Sequence, residues 1–181
     1  MEKVKRIQWR ISTLSSLQVD SISSMGGGHV DGAGKVVQFK CQESGSKVTF
    51  NNTGWNNVSI LDTTITPAFS NSLILIELIV QLSVGTATNV TSAGIACRIK
   101  SGNNVIGGSP NNQTEFYYTK AASSDPARIF ARYSKSTTEI AGSTTARTYS
   151  FDVAQYFSGV GFDVNNMTPA TSIMKVWEIA Q

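Results

Sequence analysis

Histidine is almost missing from this chain: His29, in the stretch GGGHV, is the only one in 181 residues. One imidazole with no acid or thiol converging on it makes neither a metal centre nor a catalytic dyad, and its surroundings read as a glycine-rich hinge. The two cysteines, Cys41 and Cys97, stand far apart and outside any metal-binding spacing. Charged residues make up 15% of the chain, against about 25% in an ordinary globular protein. The net charge of +3 is too scattered for a surface that tracks phosphates, so no nucleic-acid partner is expected. Long apolar runs are missing as well. The densest, SNSLILIELIVQLSV at 70–84, is broken by Glu77 and falls far short of the ~20 residues a spanning helix needs. No membrane partner is expected, and no apolar secretory core follows the basic start. GGGH lacks the strand–loop–helix setting of a phosphate loop. Asp20, Asp31 and Asp62 are isolated, and Asp152 and Asp163 are separated by a turn, so a glycosidase-type carboxylate pair would have to be assembled by the fold. The expectation is a protein with no catalytic role, no cofactor and no metal.

Serine, threonine, asparagine and glycine take the place of the missing charge, a mixture suited to short strands joined by turns. The segments between the turns alternate with period two. GKVVQFKC sets Val37, Phe39 and Cys41 on one side, and AGIACRIK sets Ile95, Cys97 and Ile99 against Arg98 and Lys100. ARTYSFDV sets Tyr149, Phe151 and Val153 against Thr148, Ser150 and Asp152, and SIMKVWEI closes the chain. Turn signals such as ESGS, NNTGWNN, SGNN, SSDPA and VNNMTPA separate them. Strong helical periodicity is absent, and strands at spacings of about 8–12 residues argue for an all-β sandwich or barrel. Both cysteines fall at inward positions, where a free thiol acts as a small hydrophobe; a disulfide is the alternative.

The 70–84 run is rich in Ile and Val, which fit a pleated sheet better than a helix. Ile74, Ile76, Leu78 and Val80 share one face, which must be core. Leu73, Leu75, Glu77, Ile79, Gln81 and Ser83 share the other, which is apolar with polar interruptions. A strand apolar on both faces is covered on both. A neighbouring subunit is the economical cover for the second face.

The first 30 residues differ. MEKVKRIQWR gathers Lys3, Lys5, Arg6 and Arg10 around Ile7 and Trp9, and the chain then dissolves into Ser and Gly up to the hinge at 26–34. Residues 1–30 read as an arm that docks on an acidic partner, and residues 31–181 as the β-sandwich domain. A solvated terminus is the alternative reading of the arm.

The order of GKVVQFKCQESGSKVTF, ILDTTITPAFSNSLILIELIVQLSV, IACRIKSGNNVIG, TTEIAGSTTARTYSFDV and TSIMKVWEIAQ resembles a domain common in tailed bacteriophages, marine and cyanobacterial phages above all. That domain is found in tail fibres and virion structural proteins. The likeness covers 34–181; Lys175 and Trp177 stand where smaller or apolar residues are usual. It implies a jelly-roll-like antiparallel sandwich, assembled as a homotrimer and located on the virion after assembly in the host cytoplasm. The trimer interface would take Leu73, Leu75, Glu77, Ile79 and Trp177. Glu77 would pair with Arg98, Arg132 or Lys175 of the next chain, or else stand as a carboxylate at the wet end of the strand. Trp177 is an interface anchor or a core anchor. Lys3, Lys5, Arg6, Ile7, Trp9 and Arg10 would grip the major capsid protein or another virion protein. With neither a heptad run nor a glycine-repeat shaft after Met1, a capsid decoration or cement protein is expected ahead of a tail-fibre or receptor-binding tip. A carbohydrate-binding module is the third reading, with Trp55, Tyr117 and Tyr118 as contacts to a host-surface glycan.

Overall fold

A computed structural model of the chain describes residues 34–51, 54–86, 91–108, 116–119, 127–155, 161–167 and 169–181. The described residues form twelve strands: β1 (Val36–Ser44), β2 (Val48–Phe50), β3 (Asn56–Asn57), β4 (Thr63–Ile65), β5 (Leu73–Thr86), β6 (Ser92–Ser101), β7 (Asn104–Gly108), β8 (Phe116–Thr119), β9 (Ala127–Ile140), β10 (Arg147–Gln155), β11 (Phe162–Val164) and β12 (Ser172–Ile179). They build two antiparallel sheets. In the first, β5 is central: β9 pairs along its whole length on one side, while β12 and then β11 share the other. β1 lies outside β12, and β2 outside β11. In the second, β10 and β6 are central, flanked by β3 and β4 on one edge and by β7 and β8 on the other. The orders β1-β12-β5-β9 and β4-β10-β6-β7 are those of a jelly roll, so the all-β sandwich expected from the alternation is the fold of the chain.

The core is what the period-two pattern dictates. Ile74, Ile76, Leu78 and Val80 from β5 and Met174 and Val176 from β12 face Ile95, Cys97 and Ile99 from β6 and Tyr149, Phe151 and Val153 from β10, all fully buried. Each large aliphatic side chain withdrawn from water here contributes about 1.5–3 kcal/mol. The SGNN signal between β6 and β7 is a two-residue hairpin with Gly102 at positive φ, the position where glycine is favoured.

β1 departs from the sequence reading. Its Val37/Phe39/Cys41 side was assigned to the core, yet Phe39 and Cys41 are exposed and face away from it. β1 is an edge strand, with a register slip between Val36 and Gln38. The positions it turns toward the sandwich are Gln38, Lys40 and Gln42, polar residues that guard an open edge. Cys97 is buried as expected, and neither cysteine is in a disulfide.

Gly108 ends β7 at a point where its backbone lies against β6. Its φ is +90°, and a Cβ there would collide with the Cys97 carbonyl oxygen and come within 2.8 Å of the Arg98 Cα. Gly34 has a similar φ of +82° but open space around it. Gly108→Ala should therefore cost at least about 2 kcal/mol, and Gly34→Ala only about 1 kcal/mol of left-handed strain, measured by urea unfolding.

Candidate interaction surface

The second face of β5 turns outward, away from the sandwich core, and the register of the first sheet lines its residues up with their neighbours in four rows. Val36, Ile179, Leu73 and Ile140 form the first, and Phe39, Trp177, Leu75 and Thr138 the second. Cys41, Lys175, Glu77 and Ser136 form the third, and Glu43, Ile173, Ile79 and Ser134 the fourth. The β5 and β12 members are half-buried, while Val36, Phe39 and Ile140 at the margins are 51%, 48% and 56% exposed. Phe39 and Trp177 stack across the strands with ring centroids 5.1 Å apart and planes tilted by 38°. The result is a patch of eight large apolar side chains and one indole whose outer surface nothing in the described chain covers.

Leu73, Leu75, Glu77, Ile79 and Trp177, the residues named from the sequence for a subunit interface, therefore lie together on one surface. Sequence reasoning missed Val36, Phe39, Ile140, Ile173 and Ile179. SIMKVWEI carries the signal for two of them: Met174 and Val176 point one way, Ile173, Trp177 and Ile179 the other, so β12 is apolar on both sides, as β5 is.

The patch has a polar end. Beyond the fourth row, Gln81 lies opposite Arg132, and Ser83 lies beside Asp163. Asp163 is buried and accepts hydrogen bonds from Thr49 Oγ1 at 2.5 Å, from Ser83 Oγ at 3.5 Å and from Arg128, with Lys47 Nζ at 3.6 Å. Burial alone would raise its pKa; the Thr49 hydroxyl, the Arg128 guanidinium and Lys47 outweigh burial and hold it below the usual carboxylate range.

The opposite end is fastened from inside by Glu178, a fully buried carboxylate on the core face of β12. It accepts hydrogen bonds from Gln38 Nε2 at 2.5 Å, the Ala68 N–H at 2.8 Å, the Phe69 N–H at 3.1 Å and Ser72 Oγ at 2.7 Å. Here too burial pushes the pKa up, and the donors from Gln38, Ala68, Ser72 and Phe69 pull it below its ordinary value. One acid thus ties the TPAFSNS turn, the edge strand β1 and the chain's last strand together beneath the apolar rows.

The remaining candidates lie elsewhere. Arg98 is on the second sheet, where it donates to buried Asp152 at 2.9 and 3.0 Å while Lys100 Nζ sits 3.1 Å from the same oxygen. The Arg98 guanidinium also lies 4.0 Å over the Trp55 ring, so one face of that indole is already occupied. Asp152 and Asp163 fall on opposite sheets, each held by cations, and form no carboxylate pair. Tyr117 and Tyr118 stand on β8 opposite Gly94 and Ala93; their side chains lie outside the described residues. Lys3, Lys5, Arg6, Ile7, Trp9 and Arg10 lie outside them too, as does His29. Among the described residues no cluster of three or more His, Cys, Asp or Glu is disposed to hold a metal ion.

No protein-family model matches the chain, and no characterised protein matches it in sequence.

Proposed function

We propose that the protein is a structural component of a tailed-phage virion: a head decoration protein that assembles as a homotrimer through the outer face of its first sheet and grips the capsid through its basic N-terminal segment. The observation that carries this reading is the two-sided sheet. A jelly roll of this size buries one face of each sheet by itself, whereas Leu73, Leu75, Ile79, Ile173, Trp177 and Ile179 present a second apolar layer that gains most by contact with further copies. Jelly rolls recur in viral capsid and lectin domains, which supports the setting by analogy of fold alone. The resemblance of the segment order to tailed-phage virion domains is a second ground for it. Attachment would then be the sum of modest contacts multiplied by trimeric linkage.

Deleting residues 1–25 is expected to leave a folded trimer that no longer coats particles. Light scattering gives the mass, and quantitative gel analysis of purified particles gives the copy number. Many copies on the head mean decoration; few, at the tail, mean a fibre or receptor-binding tip. Full occupancy by the truncated protein would refute the role of the arm, and glycan binding by the intact protein would favour the carbohydrate-binding reading.

A further inference from the structure

The third row of the outer face, Cys41–Lys175–Glu77–Ser136, sets two opposite charges among the β5 and β12 positions, which are apolar in the other three rows, while Glu43, Ser134 and Thr138 lie at the margins. Glu77 and Lys175 are direct cross-strand partners, and both are half-buried. They do not satisfy each other. Glu77 has no hydrogen-bond or ion-pair partner among the described residues, and the Lys175 ammonium stands 5.8 Å from the Trp177 ring. Leu75 and Ile79 flank the acid along its strand, and Ile173 and Trp177 flank the lysine along its own. Any partner that covers the apolar rows must also cover this pair. A wholly apolar partner would leave two desolvated charges without compensation, which is costly.

A second copy of the chain carries the complement. If copies are related by an axis parallel to the strands, each row meets its own counterpart at the same height, with the β12 side of one copy against the β5 side of the next. Lys175 then faces Glu77 of the neighbour, and the apolar rows on either side face each other. An axis across the strands would bring like charges together instead. We propose that Glu77 of each copy pairs with Lys175 of the next, and that this pair sets the register and the direction of the symmetry axis in self-assembly. The inference rests on the reading that copies meet on this face. The occupant is the chain itself because the patch is complementary to itself in charge as well as in polarity.

The test uses full-length Glu77→Lys, Lys175→Glu and the double reversal, with light scattering for mass and alkylation of Cys41 as a footprint. Cys41 is exposed in the described chain and lies in the charged row, whereas Cys97 is fully buried, so loss of Cys41 reactivity reports closure over this row. Each single reversal should weaken assembly by at least roughly 30-fold, since it turns an attraction into a repulsion in a desolvated setting. A 1:1 mixture of the two single variants should associate again, because one then carries only lysines and the other only glutamates at these positions. It should stop at two-chain complexes, because an odd ring cannot alternate. The double reversal should restore wild-type mass and Cys41 protection, which also shows that the substituted chain folds. A wild type that stays monomeric would overturn the reading of the face itself. A wild type that assembles while the single variants assemble equally well, or a mixture and a double reversal that recover nothing, would overturn the pair and leave that reading standing.

Discussion

Glu178→Ala is expected to lower stability by about 3–5 kcal/mol. The reason is the number of donors left behind. Two backbone N–H groups, a serine hydroxyl and a glutamine amide all converge on this carboxylate, which is fully buried together with Ser72, while Gln38 is half-buried and Ala68 and Phe69 lie at the surface. Removing it strands the buried Ser72 hydroxyl, at a cost of about 1–3 kcal/mol, and breaks three further charge-assisted hydrogen bonds worth about 1 kcal/mol each where their donors can turn to water. For a chain of this length that corresponds to a fall in Tm of about 6–20 °C. Glu178→Gln keeps the shape and one acceptor oxygen and should cost about half as much. The acid limb of the stability curve follows from the same group. Its folded pKa lies below the ordinary value of 4.5, so the fold favours the ionised form. The stability it supplies is fully present above that ordinary value and is lost as pH falls through the lowered one. Asp163 acts in the same sense below its ordinary 3.8. Asp62 acts oppositely: burial and the nearby Asp152 charge raise its pKa against the Asn57 hydrogen bond and Lys100, so its protonation favours the fold slightly in acid. Urea unfolding at neutral pH and again below the carboxylate range should show Glu178→Gln losing its disadvantage as the wild type becomes protonated. A variant that remains equally destabilised across that range would mean that the carboxylate charge contributes nothing.

Much of this architecture was legible in the chain itself, and the misses have identifiable causes. Alternation in AGIACRIK and ARTYSFDV placed Ile95, Cys97, Ile99, Tyr149, Phe151 and Val153 in the core, where they are fully buried. The two-sided character of β5 placed Leu73, Leu75, Glu77 and Ile79 on a second surface, and they are there. β1 failed because alternation gives two faces but not which of them is covered. Burial of an edge strand depends on what lies beyond the sheet, and only the pairing order supplies that. Glu178 was read past because its partners come from a turn more than a hundred residues away, and no local pattern marks such a contact. Asp152 looked like a surface position opposite the core residues of β10; cross-strand Arg98 and its neighbour Lys100 allow it to be buried. The positioning of Glu77 against Lys175 likewise needed the register, since their strands lie almost a hundred residues apart in sequence.

If copies meet on the outer face as proposed, Leu75→Asp should abolish that association while leaving the subunit folded. Leu75 sits in the second row between Trp177 and Thr138, its side chain on the outer face and half-buried. Within one subunit the change removes part of one side-chain contact, worth about 1 kcal/mol, because the new carboxylate can reach water. In an assembly closed over this face the same carboxylate loses that water and meets only Trp177, Phe39 and their counterparts. The uncompensated charge costs several kcal/mol at each contact, and in a closed trimer it is met three times, so association should fall by at least roughly a thousandfold. Thr138→Asp separates charge as such from charge at the centre. It lies in the same row on the long edge strand β9, already exposed, and should weaken assembly far less. Light scattering at low micromolar concentration reads the mass, and thermal unfolding followed by circular dichroism reads the fold. A Leu75→Asp protein that keeps the wild-type assembled mass would place the contact elsewhere on the molecule. One that becomes a folded monomer, with its indole fluorescence shifted toward that of a wetter tryptophan, would fix the outer face of β5 and β12 as the surface on which copies meet.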